Sequence, residues 1–158
     1  MMAQELLLST THYEQIIAHC RRVYPKEACG LLAGSARPAR GLERFVAQVY
    51  PMTNVEDSPI GYSMDPKEQL AMEKQMRQRG QRLIGLYHSH TASAAYPSSV
   101  DVSLAISPEL LYVLISLKDQ DHPEFQSYTI DGRTITRQGY RVHEAAANDP
   151  VRPIATDS

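Results

Sequence analysis

Two cysteines, Cys20 and Cys29, are all the thiols this chain has, too few and too close in sequence for a disulfide-stapled secreted fold. They form no CxxC pair, so a thiolate zinc site is excluded and any zinc must be held by imidazole and carboxylate. There is no dense basic run, and sixteen Lys plus Arg against eighteen Asp plus Glu leave a formal charge of −2. Nothing here is built to neutralise a phosphate backbone, so nucleic acid is not an expected partner. The N-terminus has no basic leader with an apolar core, and the apolar runs fall far short of a membrane span. No membrane partner is expected, and a cytoplasmic protein is the default. Internal repeats, domain linkers and long low-complexity segments are also missing.

What is there suffices for one folded unit. A chain of 158 residues with 42% hydrophobic and 22% charged residues can bury a core without staples. One domain is expected over residues 1–144. The small, polar, Pro-containing segment 145–158 lacks periodicity and is expected to be a mobile tail.

Thr11 followed by Glu14 reads as a capping box that starts a helix, with Ile16, Ile17, Cys20 and Val23 on its buried face until Pro25. Ala28 to Ala33 reads as a short buried strand. Phe45, Ala47 and Val49 sit two apart and would share one face of another, although Val46 blurs the alternation. A second helix has Asp65 as N-cap, Pro66 at its first position, Glu68 completing the box and Gly80 closing the end. Its apolar stripe is Leu70, Met72 and Met76. Leu83 to Tyr87 is a strand leading into His88, and a third helix starts at Pro97 and Ser98 and runs to about Ser107. Leu110 to Leu117 is the strongest buried-strand signal. Gln126 to Val142 reads as a hairpin turning at Asp131-Gly132, which tolerates the positive φ of a tight turn. The mixture predicts an α/β (α+β) three-layer sandwich, with helices packed on a mixed sheet.

Within Gly85 to Asp101, GLYHSHTASAAYPSSVD, side chains two apart on an extended segment point the same way, so His88 and His90 can converge on one ion. Zinc accepts imidazole nitrogen at roughly 2.0–2.1 Å, and catalytic sites keep three protein ligands and one open position. Asp101, in the first turn of the third helix, can supply the carboxylate. A His-x-His alone is weak, and Ser98-x-x-Asp101 is also a helix-capping signature. The two readings of Ser98 and Asp101 are compatible. The ordered set is what favours metal: an apolar strand, His-x-His at its end, then Ser and Asp at a helix start. The remaining histidines, His12, His19, His122 and His143, read as surface or helix residues, and Cys29 as a small buried hydrophobe.

His88-x-His90, seven residues, Ser98, two residues and Asp101 match the JAMM motif, and the chain resembles the MPN-plus metallopeptidase family over most of residues 10–142. The resemblance implies an MPN fold, broadly similar to that of cytidine deaminases, and a bound Zn2+ held by His88, His90 and Asp101. It also implies an upstream catalytic glutamate, which falls on Glu27 in YPKEACGLLAG. Spacing alone could not select Glu27 among eighteen acidic residues. In that scheme Glu27 is general base and then general acid for a zinc-activated water, and Ser98 donates a hydrogen bond to the developing oxyanion. One departure is Thr91, where relatives commonly have Pro.

The resemblance further implies cleavage of a peptide or isopeptide bond at the C-terminal tail of a ubiquitin-like protein. The chain has no room between Asp101 and Leu110 for the long insertion of eukaryotic deubiquitinating relatives. It looks like the compact prokaryotic type, associated with small sulfur carriers of ubiquitin-like fold from which an amino acid such as cysteine is released. Two alternatives remain, a non-catalytic interaction module of the same fold and a nucleobase deaminase. The deaminase would need His-x-Glu together with Pro-Cys-x-x-Cys, and that combined pattern is absent.

Overall fold

A computed structural model describes residues 5–56 and 58–144. The segment 145–158, expected to be a mobile tail, lies outside the described residues. The elements run β1 (Leu6–Ser9), α1 (Thr10–Val23), β2 (Cys29–Ser35), β3 (Gln48–Met52), α2 (Pro66–Gln78), β4 (Gln81–His90), α3 (Ser99–Leu104), β5 (Leu111–Ser116), β6 (Glu124–Asp131), β7 (Thr134–Gln138) and β8 (Tyr140–His143). Six strands form one sheet in the order β3-β2-β4-β5-β6-β7, and β1 and β8 pair separately. Within the large sheet β4 and β5 run parallel and the other neighbours antiparallel. The sheet is therefore mixed, as expected, and β4-α3-β5 is its one parallel crossover.

Alternation along the strands sorts the core into two faces. Leu32, Ile84, Tyr87, Val113 and Ile115 pack with Ile16, Ile17 and Cys20 of α1. Cys29, Leu31 and Ala33 face the other way, with Met76 of α2 and with Leu86. A helix on each side of the sheet makes the three layers.

Several local expectations shift. Helix α1 is capped by Ser9, whose hydroxyl accepts from the His12 N–H at 3.2 Å, rather than by Thr11. β1 remains extended and paired with β8 through Ser9, which puts Thr11 already inside the helix. Val46 is buried while Ala47 is exposed, and β3 begins only at Gln48; Phe45 instead bridges to Leu7 of β1. Asp65 caps α2 and Gly80 has φ 68° as expected, but Glu68 binds Thr53 through its N–H and Oγ1 instead of closing the box. Leu70 is two-thirds exposed, leaving Met76 to anchor that helix. Helix α3 stops at Leu104. The hairpin at Gly132 ends at Gln138, and Val142 belongs to β8, beside β1. Pairing between chain ends far apart in sequence leaves no local signature, so β8 looked like a continuation of the hairpin.

Candidate metal centre

Strand β4 continues through His90, so both histidines are strand residues rather than residues beyond its end. His88 lies opposite Cys29 on β2 and Leu114 on β5, and His90 opposite Ser116. Leu86 belongs to the α2-side core and Tyr87 to the α1-side core, so alternation puts His88 and His90 on the α2 side and Ser89 on the other. Ser89 is fully buried and ties β4 to the residue after Glu27. Its hydroxyl accepts from the Ala28 N–H at 2.8 Å, and its own N–H donates to the Ala28 carbonyl at 3.0 Å.

The chain leaves β4, passes Ala94 and Ala95, and turns into α3 at Ser98. There the Ser98 hydroxyl accepts from Asp101 N–H at 3.1 Å, and Asp101 Oδ2 accepts from Ser98 N–H at 2.8 Å. This capping box turns the carboxylate back over the strand end. Asp101 Oδ1 lies 3.1 Å from His88 Nε2, and Oδ2 lies 3.1 Å from His90 Nε2. The two Nε2 atoms are 3.3 Å apart. His90 Nδ1 is 2.9 Å from the Ala94 carbonyl; a proton there makes that contact a hydrogen bond and leaves the Nε2 lone pair free to ligate, the usual way a ligating imidazole is oriented.

Whether these groups suit a divalent cation is decided by their chemistry. Three donor atoms from His88, His90 and Asp101 lie within 4.8 Å of one another, two neutral nitrogens and one anionic oxygen, a set that suits zinc. Burial drives the His88 imidazole down, toward the neutral form a metal needs. Burial alone would raise the Asp101 carboxyl, but hydrogen bonds from both imidazoles and from Ser98 N–H hold it well below the usual carboxylate range. His90 is the member drawn toward protonation, because Asp101, the Ala94 carbonyl and Glu27 outweigh its burial. The cluster thus stabilises one positive charge among three donors, and the residues fit a metal ion.

Glu27 precedes β2 at the edge of this group and is only 6% exposed. Burial, with repulsion from Asp101 and Glu56, outweighs attraction to His90 and pushes its carboxyl up to about 7. Its backbone carbonyl is anchored by Asn54 Nδ2 at 2.9 Å.

The family model described as prokaryotic homologs of the JAB domain matches residues 9–131. The chain belongs to the prokaryotic JAB family. A CysO-cysteine peptidase of Mycobacterium tuberculosis is 42% identical over 132 residues, spanning 82% of this chain and 85% of that protein. A desampylase of Haloferax volcanii is 31% identical over 73% of this chain and 84% of its own. A solution structure of a Desulfitobacterium hafniense protein superposes with a TM-score of 0.79 at 38% identity, covering 89% of this chain and 94% of that one. A JAB1/MPN domain protein from Archaeoglobus fulgidus, 17% identical, shares the fold with a TM-score of 0.59, over 88% of this chain and 100% of its own.

In this JAB chain the fold brings together His88, His90 and Asp101, bonds Ser98 to Asp101, and leaves Glu27 outside the three-donor group but electrostatically coupled to it. Thr91 donates to the Pro59 carbonyl at 3.2 Å, so its hydroxyl ties the loop after β4 to a neighbouring one. Cys29 is buried, with its thiol pushed up to about 12, chiefly by burial, as a small core residue should be. Among the other histidines, His122 is exposed and His143 lies in β8. His19, although on α1, is buried with Nδ1 2.6 Å from the Tyr87 hydroxyl. Sequence reasoning missed Ser89, Asn54 and Tyr62, whose ring lies 4.6 Å from that of His88. Ser89 could have been found, since the residue between two inward histidines must face the opposite layer; Asn54 and Tyr62 left no local signal.

Proposed function

We propose that this chain is a zinc-dependent peptidase that hydrolyses a peptide or isopeptide bond at the C-terminal tail of a ubiquitin-like protein, and that it releases an amino acid such as cysteine from a small sulfur carrier. The observation that carries the reading is the convergence of His88 Nε2, His90 Nε2 and the Asp101 carboxylate beside a buried Glu27 whose pKa is near neutral. The named activity of the Mycobacterium tuberculosis relative supports the substrate class. A cytoplasmic setting is part of the same proposal.

In this reading His88, His90 and Asp101 hold the ion. Zinc there supplies Lewis acidity, acidifying water toward a pKa of about 7 and polarising a carbonyl. Glu27 takes a proton from the attacking water as the C–O bond forms, then returns it to the amide nitrogen as the C–N bond breaks, leaving a carboxylic acid and an amine. Burial, which raises this carboxyl above its ordinary value, helps it both take and return the proton. The Ser98 oxygen accepts from Asp101 N–H, which leaves its own proton to donate to the carbonyl oxygen as negative charge builds there.

The test is turnover of sulfur carriers bearing C-terminal amino-acid adducts, compared with ubiquitin dimers, by zinc-loaded protein and by Glu27→Gln. The adducts should be cut by the unmodified chain alone. Activity persisting in chelator, with metal confirmed absent, would end the proposal; cleavage of ubiquitin dimers but not of the adducts would end its substrate assignment.

A further inference from the structure

Strands β2 and β3 pair as far as Cys29 opposite Met52. Continuing that register by two residues sets Glu27 opposite Asn54, and there a side chain takes over from the ladder. Asn54 Nδ2 donates to the Glu27 carbonyl at 2.9 Å and to the Gly61 carbonyl at 3.1 Å. Its Oδ1 accepts from the Glu56 N–H at 2.9 Å and the Ser63 N–H at 3.0 Å. Both amide protons and both oxygen lone pairs are used, so the orientation of the side chain is fixed. A primary amide satisfies two carbonyls and two N–H groups at once; a carboxylate satisfies only the N–H groups.

The peptide group between Glu27 and Ala28 is trans, so its N–H and C=O point in opposite directions. Each is held by a different part of the fold. The Ala28 N–H donates to Ser89 Oγ at 2.8 Å, and Ser89 stands between His88 and His90 on β4. The Glu27 carbonyl is held by Asn54. One peptide plane thereby links the strand that bears the two imidazoles to the stretch around Gly61 and Ser63. The same amide brackets Tyr62, whose two chain neighbours it bonds. The Tyr62 ring lies 4.6 Å from that of His88, and with His88 and Asp101 it lines the cleft beside the metal donors. Thr91, the residue after His90, ties this stretch down again through the Pro59 carbonyl at 3.2 Å. None of the four Asn54 bonds goes to a metal donor.

We propose that Asn54 is a positioning residue for catalysis. Its amide holds the peptide of Glu27 and the Tyr62 wall of the cleft in one fixed relation, so the carboxyl that moves the proton keeps its distance from the surface on which a substrate lies. Ser89 sets that peptide against the metal ligands, and Asn54 sets it against the substrate side. This rests on the peptidase reading above and adds to it a residue that acts only through Glu27 and Tyr62.

The test combines kinetics with amide hydrogen exchange, both on zinc-loaded protein. With sulfur-carrier adducts as substrate, Asn54→Ala should lower kcat by about 10–100-fold, the range for a lost outer partner or a misplacement of about 1 Å. Zinc affinity should not change. In a Glu27→Gln background the same substitution should cost little further in kcat, because a residue that acts through Glu27 has nothing left to place; what remains falls on KM through the Tyr62 wall. An equal loss of kcat in both backgrounds, as a general weakening of the fold would give, overturns the proposal. Asn54→Asp keeps the two accepting bonds and removes the two donating ones, and should show the same kcat loss and the same dependence on Glu27. If Asn54→Ala does not fold, this variant carries both measurements. In exchange, the Ala28 amide, which shares the Glu27 peptide plane, should speed up about three- to tenfold in either variant, the range for one lost hydrogen bond. The Ser63 amide should speed up in Asn54→Ala alone. The Val113 amide of β5 serves as the reference for global opening. If the unmodified chain cuts no adduct, the peptidase reading fails and exchange alone decides: an Ala28 amide that speeds up no more than Val113 overturns the placement of Glu27 by Asn54.

Discussion

At the scale of single residues, Glu27 is the most informative side chain. Its folded-state pKa of about 7 exceeds the ordinary 4.5, so the folded chain without metal binds that proton more tightly than the unfolded one. The sign follows: Glu27 favours folding most below the ordinary carboxylate range, and that contribution is lost as pH rises through about 7. Glu27→Gln should leave the melting temperature of the metal-free protein nearly unchanged at about pH 4 and raise it at about pH 8. Melting curves at both values check this, and a gap that does not widen with pH refutes the burial account. With zinc bound, the same variant should retain the ion and lose about 10²–10⁴-fold in kcat, the usual worth of general acid–base catalysis. Asp101→Asn removes the one anion among the three donors. Zinc affinity, measured by competition with a chromogenic chelator, should fall by more than the roughly 10–100-fold that outer-shell changes cost. The grouping of His88, His90, Ser98 and Asp101 was legible because it is local, a strand period followed by a helix cap. Glu27 was legible only through the family resemblance, because what distinguishes it from other acids is burial.

At the scale of elements, β4 carries the site and α3 completes it. Gly85 of β4 has no room for a side chain beside β5; a Cβ there would meet the Leu111 carbonyl oxygen at 2.6 Å, a rigid backbone atom. Gly85→Ala should therefore destabilise the fold by about 1–3 kcal/mol, as overpacking does, read as a lower denaturation midpoint. Ser89→Ala leaves the buried Ala28 N–H without its 2.8 Å acceptor, a loss of about 1–3 kcal/mol. Because Ala28 follows Glu27, kcat should drop as well; full activity with lowered stability would show that this tie does not position the glutamate. The parallel crossover explains the placement: the site lies at the carboxyl end of β4, where the chain leaves the sheet to enter α3, a location α/β sheets commonly use. Element types and approximate spans were readable from period and caps. Ends were not, because β1 extends to Ser9 through pairing with β8, and burial at Val46 depends on layers that approach from elsewhere in the chain.

At the scale of the whole molecule, three distant stretches meet at one point: the start of β2, the end of β4 and the first turn of α3. A cation that binds only this folded arrangement stabilises it by mass action, by about 4 kcal/mol at a thousand times its dissociation constant. Stripping metal should lower the melting temperature, and zinc should restore it in the unmodified chain but not in Asp101→Asn. Indifference of both proteins to zinc would favour a non-catalytic interaction module. From the sequence alone came the three donors and their capped helix, because strand alternation and helix capping act over a few residues. The mixed α/β architecture followed from the same short-range periodicities. Tertiary structure alone decided that Glu27 is buried near those donors and that Ser89 fastens β4 to the segment that bears Glu27. Those properties depend on desolvation and on the summed field of charges far apart in the chain, and neither exists until the layers have packed.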